Sequence, residues 1–237
     1  MTKAKILIIS VIVLLFFGEC TSKKKIPKNT SAVSQKKIEK VPKIKEKKEP
    51  RINRSIVLND NNAIPFFYNY QKENLEDKVR ITTRFGNIDV RLFKNTPYHR
   101  ANFIYLTKKG YFNGTTFHRV VPGFIIQGGN SDRYETSKKR SEIGKYLLPP
   151  DTRKGHKHHR GVISVPSSEI ENPYKLASPF EFFIVQQDPG AYHLDGSYTV
   201  FGEVITGIDV VDQINNQRID SRETPLTNVF MEVSVIE

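Results

Sequence analysis

The sequence predicts a mainly β domain, a closed antiparallel barrel, carried on a disordered N-terminal tether. Three observations lead there. Short β-type runs recur from residue 79 to residue 236 with turn-rich links, only two helical patterns interrupt them, and the first 54 residues are composed unlike the rest. With 237 residues, 38% of them hydrophobic, the chain can bury one good core but not two.

The chain opens MTKAKILIISVIVLLFFGEC: two lysines, an apolar run from Ile6 to Phe17, then Gly18, Glu19 and the sole cysteine, Cys20. The run suits a signal-peptide core and is short for a span of ~20 residues. A lone cysteine makes no internal disulfide. In this place it resembles the lipobox cysteine of bacterial lipoproteins, which implies a lipid-modified residue and a membrane-anchored, extracytoplasmic protein of the cell envelope. Phe17 and Glu19 depart from that pattern, which has Leu and a small residue there, so an uncleaved anchor stands beside it.

Residues 21–54 are rich in Lys, Pro, Ser and Glu with no aromatics, and are read as a disordered basic linker. Its cations either lie on anionic head groups or space the domain from the membrane. The formal charge is +12 overall, +11 of it within residues 1–54 and +1 beyond, so the globular part lacks a footprint for nucleic acid. Residues 55–77 are transitional, with IPFFYNY (64–70) apolar enough to pack on something.

The domain proper, 78–237, opens with VRITTRFGNIDVRLF, a hairpin of strands 79–84 and 88–93 about Gly86 and Asn87. NTPYHRANFIYLTKKG follows as a helix. Thr96 is placed to cap it, Pro97 takes its first position, Ala101, Phe103, Ile104 and Leu106 lie near one face, and Gly110 ends it. Further β-type runs cover 115–120, 124–128, 161–165, 181–186, 199–204 and 229–236, with a second helix near 207–217. No internal repeat is present.

The chemistry-bearing stretch is YFNGTTFHRVVPGFIIQGG (111–129), an Arg among apolar residues with no carboxylate, Cys or Ser beside it in sequence. With RGVISV (160–165), FEFFIV (180–185), LDGSYTVFGEV (194–204) and GIDVVDQI (207–214), it resembles the cyclophilins, the peptidyl-prolyl cis-trans isomerase family, over residues 78–237. The resemblance implies an eight-stranded barrel closed by two α-helices, a shallow outer groove for a Xaa-Pro segment, no cofactor, no metal and a monomer. It assigns Arg119 as the catalytic arginine, Phe124 and Phe183 as proline-pocket aromatics, Ile125 and Leu194 as pocket aliphatics, Gln127 as the groove glutamine, and His118 as the histidine before the arginine. On spacing alone Arg119 reads as a surface cation and the apolar members read as core.

Several positions depart from the family pattern. Glu181 stands for a glutamine and is expected to bring negative charge toward Arg119. His193 stands for a tryptophan, implying weak cyclosporin sensitivity; Tyr198 stands for a histidine; Pro166 and Ser167 stand for Ala-Asn or Ala-Arg; and 167–179 is longer than the usual connection. Two other clusters have bland readings. GHKHHRG (155–161) gathers three His without Cys or carboxylate at ligand spacing, and Gly128 and Gly129 read as a backbone device without the helix a phosphate loop needs. The expected function is isomerisation of Xaa-Pro bonds in exported polypeptides. The alternatives are a proline-segment binding module of low activity and a chain in which the basic tether is the working part.

Overall fold

The computed structural model describes residues 56–167 and 172–237; Cys20, the signal-type run and the linker lie outside the described residues. The elements in chain order are β1 (Leu58–Asn59), α1 (Ala63–Glu73), β2 (Lys78–Thr83), β3 (Gly86–Leu92), α2 (Pro97–Lys108), β4 (Thr116–Val121) and β5 (Ile125–Asn130). They continue with α3 (Tyr134–Ile143), β6 (Gly144–Lys145), β7 (Val162–Ser164), β8 (Phe182–Val185), β9 (Val200–Thr206), α4 (Ile208–Asn215) and β10 (Met231–Ile236). No described helix is long and apolar enough to cross a membrane.

Eight strands pair antiparallel in the order β10-β2-β3-β9-β7-β8-β5-β4, while β1 and β6 form a separate parallel pair. The ladders describe a half-barrel, not the continuous closed barrel expected. The edge strands β10 and β4 share no ladder; they meet only at one end, through a bridge between Thr116 and Phe230 and three bonds: Gly114 N–H to Met231 O (3.0 Å), Met231 N–H to Thr115 O (2.9 Å) and Phe117 N–H to Val229 O (2.9 Å).

Strand alternation sorts side chains into two apolar layers. Ile81, Ile88, Val90, Phe117, Ile126, Ile163, Phe182, Ile184 and Phe201 face inward and pack with α1, α2 and α4 in one cluster. Their neighbours Ile125, Val162, Phe183, Val185 and Val200 form a second buried cluster on the outer face. The groove is built on this second layer.

Four helices are described where two were expected. α1 carries Ala63, Phe66, Phe67 and Tyr70 at helical spacing, so the transitional segment is a docked helix: Phe66, Phe67 and Tyr70 ring Tyr105 of α2 with centroids 5.1, 5.8 and 5.4 Å away. Buried Arg100 of α2 fastens its end, donating to the carbonyls of Asn74 (2.8 Å), Glu76 (3.0 Å) and Gln71 (3.1 Å). α3 (YETSKKRSEI) buries only Thr136 and Ile143, so it has no apolar period to read. Long cations hold it instead. Lys139 donates to the carbonyl of Gly110 (2.7 Å), and Arg140 donates to the Tyr111 hydroxyl (2.8 Å) while its guanidinium lies 4.9 Å from the Phe180 ring centre. Thr96 sits at the α2 N-cap as expected, but its hydroxyl donates to Phe93 O (3.1 Å) and bonds no helical N–H.

His99 of α2 is buried at 1% exposure with Nε2 3.0 Å from Pro149 O, which makes Nε2 the donor. Burial pushes its pKa down to about 4. The unfolded chain takes up a proton near pH 6.5 that the fold refuses, so this contribution is complete above pH 6.5 and is lost as pH falls toward 4. Between pH 7 and pH 5 the His99→Leu variant is expected to lose about 2 kcal/mol less stability than the unsubstituted chain. Urea unfolding at the two pH values checks this; equal losses would show that His99 is protonated in the fold.

Candidate functional site

The groove begins with a slip of register. β4 pairs Phe117 with Gly128 and Arg119 with Gln127, so His118 is the extra residue of a bulge. Without it, residues 117 and 119 would share a face. The bulge lets Phe117 (1% exposed) and Val120 (0%) both enter the core while Arg119 turns outward. Gln127 lies opposite Arg119 on β5, and Phe183 opposite Gln127 on β8, so three adjacent strands present these side chains to one face.

Around them the outer apolar layer forms a floor. Ile125 and Phe183 are 4% and 3% exposed, with Phe124, Leu194 and Tyr198 half-buried against them. Tyr198 meets Phe183 edge-on with centroids 5.9 Å apart, and exposed His193 stacks on Phe124 at 5.3 Å. Every pocket residue read from the sequence therefore lines one surface. Gly129 sets the spacing behind this face: its φ is +99°, and a Cβ there would lie 2.4 Å from Phe180 O, so only glycine lets β5 run this close to the segment leading into β8.

The polar side of the groove differs from the expectation in one respect. Glu181 does not pair with Arg119. One carboxylate oxygen accepts from Gln127 Nε2 (3.0 Å) and the other from Asn130 Nδ2 (3.2 Å), with His118 Nε2 3.7 Å from the first. The carboxylate on Arg119 belongs to Glu223, which sequence reading missed: Arg119 Nε–H donates to Glu223 Oε2 at 2.7 Å, and Nη1 reaches Gln127 Oε1 at 3.4 Å. Both members are about 40% exposed (40% and 38%), so the pair adds at most ~1 kcal/mol to stability. Nη2 has no hydrogen-bond partner among the described residues. Burial holds the His118 pKa below its ordinary value, with Glu181 pulling the other way. The imidazole is neutral at pH 7.

Three histidines of GHKHHRG go separate ways, and among the described residues no group of three or more His, Cys, Asp or Glu is placed to hold a metal. His156 bonds Asn95 Oδ1 (2.8 Å), and His159 bonds the Tyr192 hydroxyl (2.9 Å). His158, 1% exposed, sets Nδ1 2.8 Å from Asp195 Oδ1 and Nε2 3.1 Å from Ser164 Oγ. Burial pushes the His158 pKa down, so the ring is neutral and Nδ1–H donates. Burial alone would raise Asp195; the bonds from the His158 ring, the His158 backbone N–H and Lys157 outweigh it and lower the carboxyl. This bond anchors the turn that carries His193 and Leu194.

The family described as cyclophilin type peptidyl-prolyl cis-trans isomerase matches residues 78–235. A peptidyl-prolyl cis-trans isomerase-like 2 protein of Rhizopus delemar is 38% identical over 158 residues, covering 66% of this chain and 28% of that protein. A peptidyl-prolyl cis-trans isomerase of Acinetobacter baylyi is 37% identical over 142 residues, covering 58% of this chain and 71% of its own length. A crystal structure of a cyclophilin type isomerase from Cryptosporidium parvum superposes with a TM-score of 0.58 at 26% identity, covering 68% of this chain and 98% of that one. The same protein has been crystallised in the presence of the dipeptide Ala-Pro.

Asp195→Ala would leave the His158 N–H groups without their acceptor. A loss of about 2 kcal/mol in chemical denaturation is expected, with faster amide exchange from Leu194 to Tyr198. Unchanged exchange there would show that the turn is held by other contacts.

Proposed function

Because the chain belongs to the cyclophilin-type peptidyl-prolyl cis-trans isomerase family, we propose that its groove accelerates rotation about Xaa-Pro bonds, with Arg119 as the catalytic residue. The observation that carries this reading is a guanidinium held at Nε and Nη1 beside an apolar floor, with Nη2 unbonded among the described residues. Amide resonance sets a barrier of ~18–20 kcal/mol to the rotation. As the bond twists, its nitrogen becomes pyramidal and gains a lone pair. A donor aimed at that nitrogen binds the twisted state better than either planar ground state, which is the condition for catalysis.

Arginine suits the task because its charge is permanent and its fork is rigid. The apolar layer keeps water from competing for the hydrogen bond. Phe124, Ile125, Phe183 and Leu194 clasp the proline ring, Tyr198 and His193 close its rim, and Gln127, held by Glu181, offers its amide to the flanking carbonyl. His118 shapes the strand and transfers no proton, since the reaction moves none and breaks no bond. A thousandfold acceleration needs ~4 kcal/mol of such differential binding.

The substrates we infer are Xaa-Pro segments of exported polypeptides, met at a membrane to which Cys20 anchors the chain. What supports this is the apolar run Ile6 to Phe17 followed by the only cysteine and a basic linker.

Isomerisation of an Ala-Pro test peptide by residues 55–237 is expected to fall about a hundredfold in kcat/KM in Arg119→Ala with thermal stability unchanged. No acceleration by folded, unsubstituted protein would sink the enzyme reading and favour a proline-segment binding module. For the anchor, full-length chain expressed with a clickable palmitate analogue is expected to take up label that Cys20→Ser abolishes; equal labelling would rule out lipidation at Cys20.

A further inference from the structure

Glu223 lies 104 residues from Arg119 in sequence, and its only side-chain hydrogen bond among the described residues is the one to Arg119 Nε. The turn that delivers it is tightly held. Asp220 Oδ1 accepts from the N–H groups of Arg222 (2.8 Å) and Thr224 (2.9 Å), the Asp220 N–H donates to Thr224 O (2.9 Å), and Ile219 bridges Pro225. Hydrogen bonds to the Asp220 carboxylate from those backbone N–H groups lower its pKa, so it stays ionised and the turn stays closed at neutral pH. Glu223 O in turn accepts from Val120 N–H at 2.8 Å, which ties this turn to the residue following Arg119.

Within this rigid turn Glu223 has a φ of 64°, in the left-handed region that glycine enters freely and side-chain-bearing residues rarely adopt. A glycine would relieve the backbone. What the glutamate provides instead is a carboxylate on one edge of the guanidinium, and that half-exposed pair adds little to stability. Contacts at Nε to Glu223 and at Nη1 to Gln127 are two points on a planar fork, enough to fix its plane.

We propose that Glu223 is a positioning residue: it holds the Arg119 guanidinium so that its free edge faces the twisting amide, and it acts on the rate through Arg119 without touching substrate. This inference rests on the isomerase reading above. Orientation outweighs the charge that the carboxylate offsets, because a guanidinium free to rotate must be re-ordered in each transition state.

The test compares the unsubstituted protein, Arg119→Ala, Glu223→Gly and Glu223→Gln in the peptide assay, with kcat and KM resolved and thermal unfolding run in parallel. Glu223→Gly is expected to unfold at the same or a higher temperature while kcat falls about tenfold and KM changes little. Glu223→Gln keeps an oxygen acceptor and is expected to recover most of kcat. If Glu223→Gly matches or exceeds the unsubstituted protein while Arg119→Ala shows its large loss, the inference falls and the isomerase reading stands. Glu223 would then be a competitor of substrate for Arg119. If the unsubstituted protein itself gives no acceleration, the isomerase reading falls and takes this inference with it.

Discussion

The one-residue bulge at His118 is the constraint on which the groove depends. A strand with unbroken alternation would put Phe117 and Arg119 on one face, burying a cation in the aromatic core or exposing the phenylalanine. By spending one residue, β4 gives Phe117 and Val120 to the inner cluster and Arg119 to the outer surface. The same bulge brings His118 near Glu181, whose carboxylate holds Gln127 and Asn130. A chain of contacts thus runs from a backbone irregularity to the orientation of the groove amide.

A second constraint is a sheet with two apolar faces. Antiparallel sheets commonly bury one face and wet the other. Here β5, β7, β8 and β9 alternate between an inner core and a smaller outer layer of Ile125, Val162, Phe183, Val185 and Val200. The outer layer is part of the fold and the floor of the groove at once. The turn bearing Leu194 and His193 covers one side of it, and a buried neutral histidine locks that turn down through Asp195. Rigid scaffolding below and a polar rim above suit a reaction that works by holding one conformation of a peptide better than two others.

Legibility in the sequence followed the range of the interactions. Strands β2 to β5 and β7 to β10 were placed to within about two residues at most ends, because period-two alternation and turn residues act locally. α2 was visible from Pro97, Gly110 and its apolar spacing, and α4 matches the second helix expected near 207–217. α1 was readable in Ala63, Phe66, Phe67 and Tyr70, but a short aromatic run tells only that something will be packed on, not what. α3 had no such signal, since Lys139 and Arg140 hold it through carbonyls and rings that only the fold brings near.

Taken by itself, the sequence determined the strand pattern and the division of the chain into a basic N-terminal stretch and a near-neutral domain, while the groove roles came only from the resemblance of a long motif to a known family. Only the tertiary structure decided which carboxylate meets Arg119. Glu181, two residues from Phe183, was the expected partner, yet it is drawn to Gln127 and Asn130, and Glu223 arrives from a turn beyond α4. The physical reason is that charge pairing depends on distance through space, and across 104 residues no local pattern of hydrophobicity or turn chemistry records where a single side chain will come to rest.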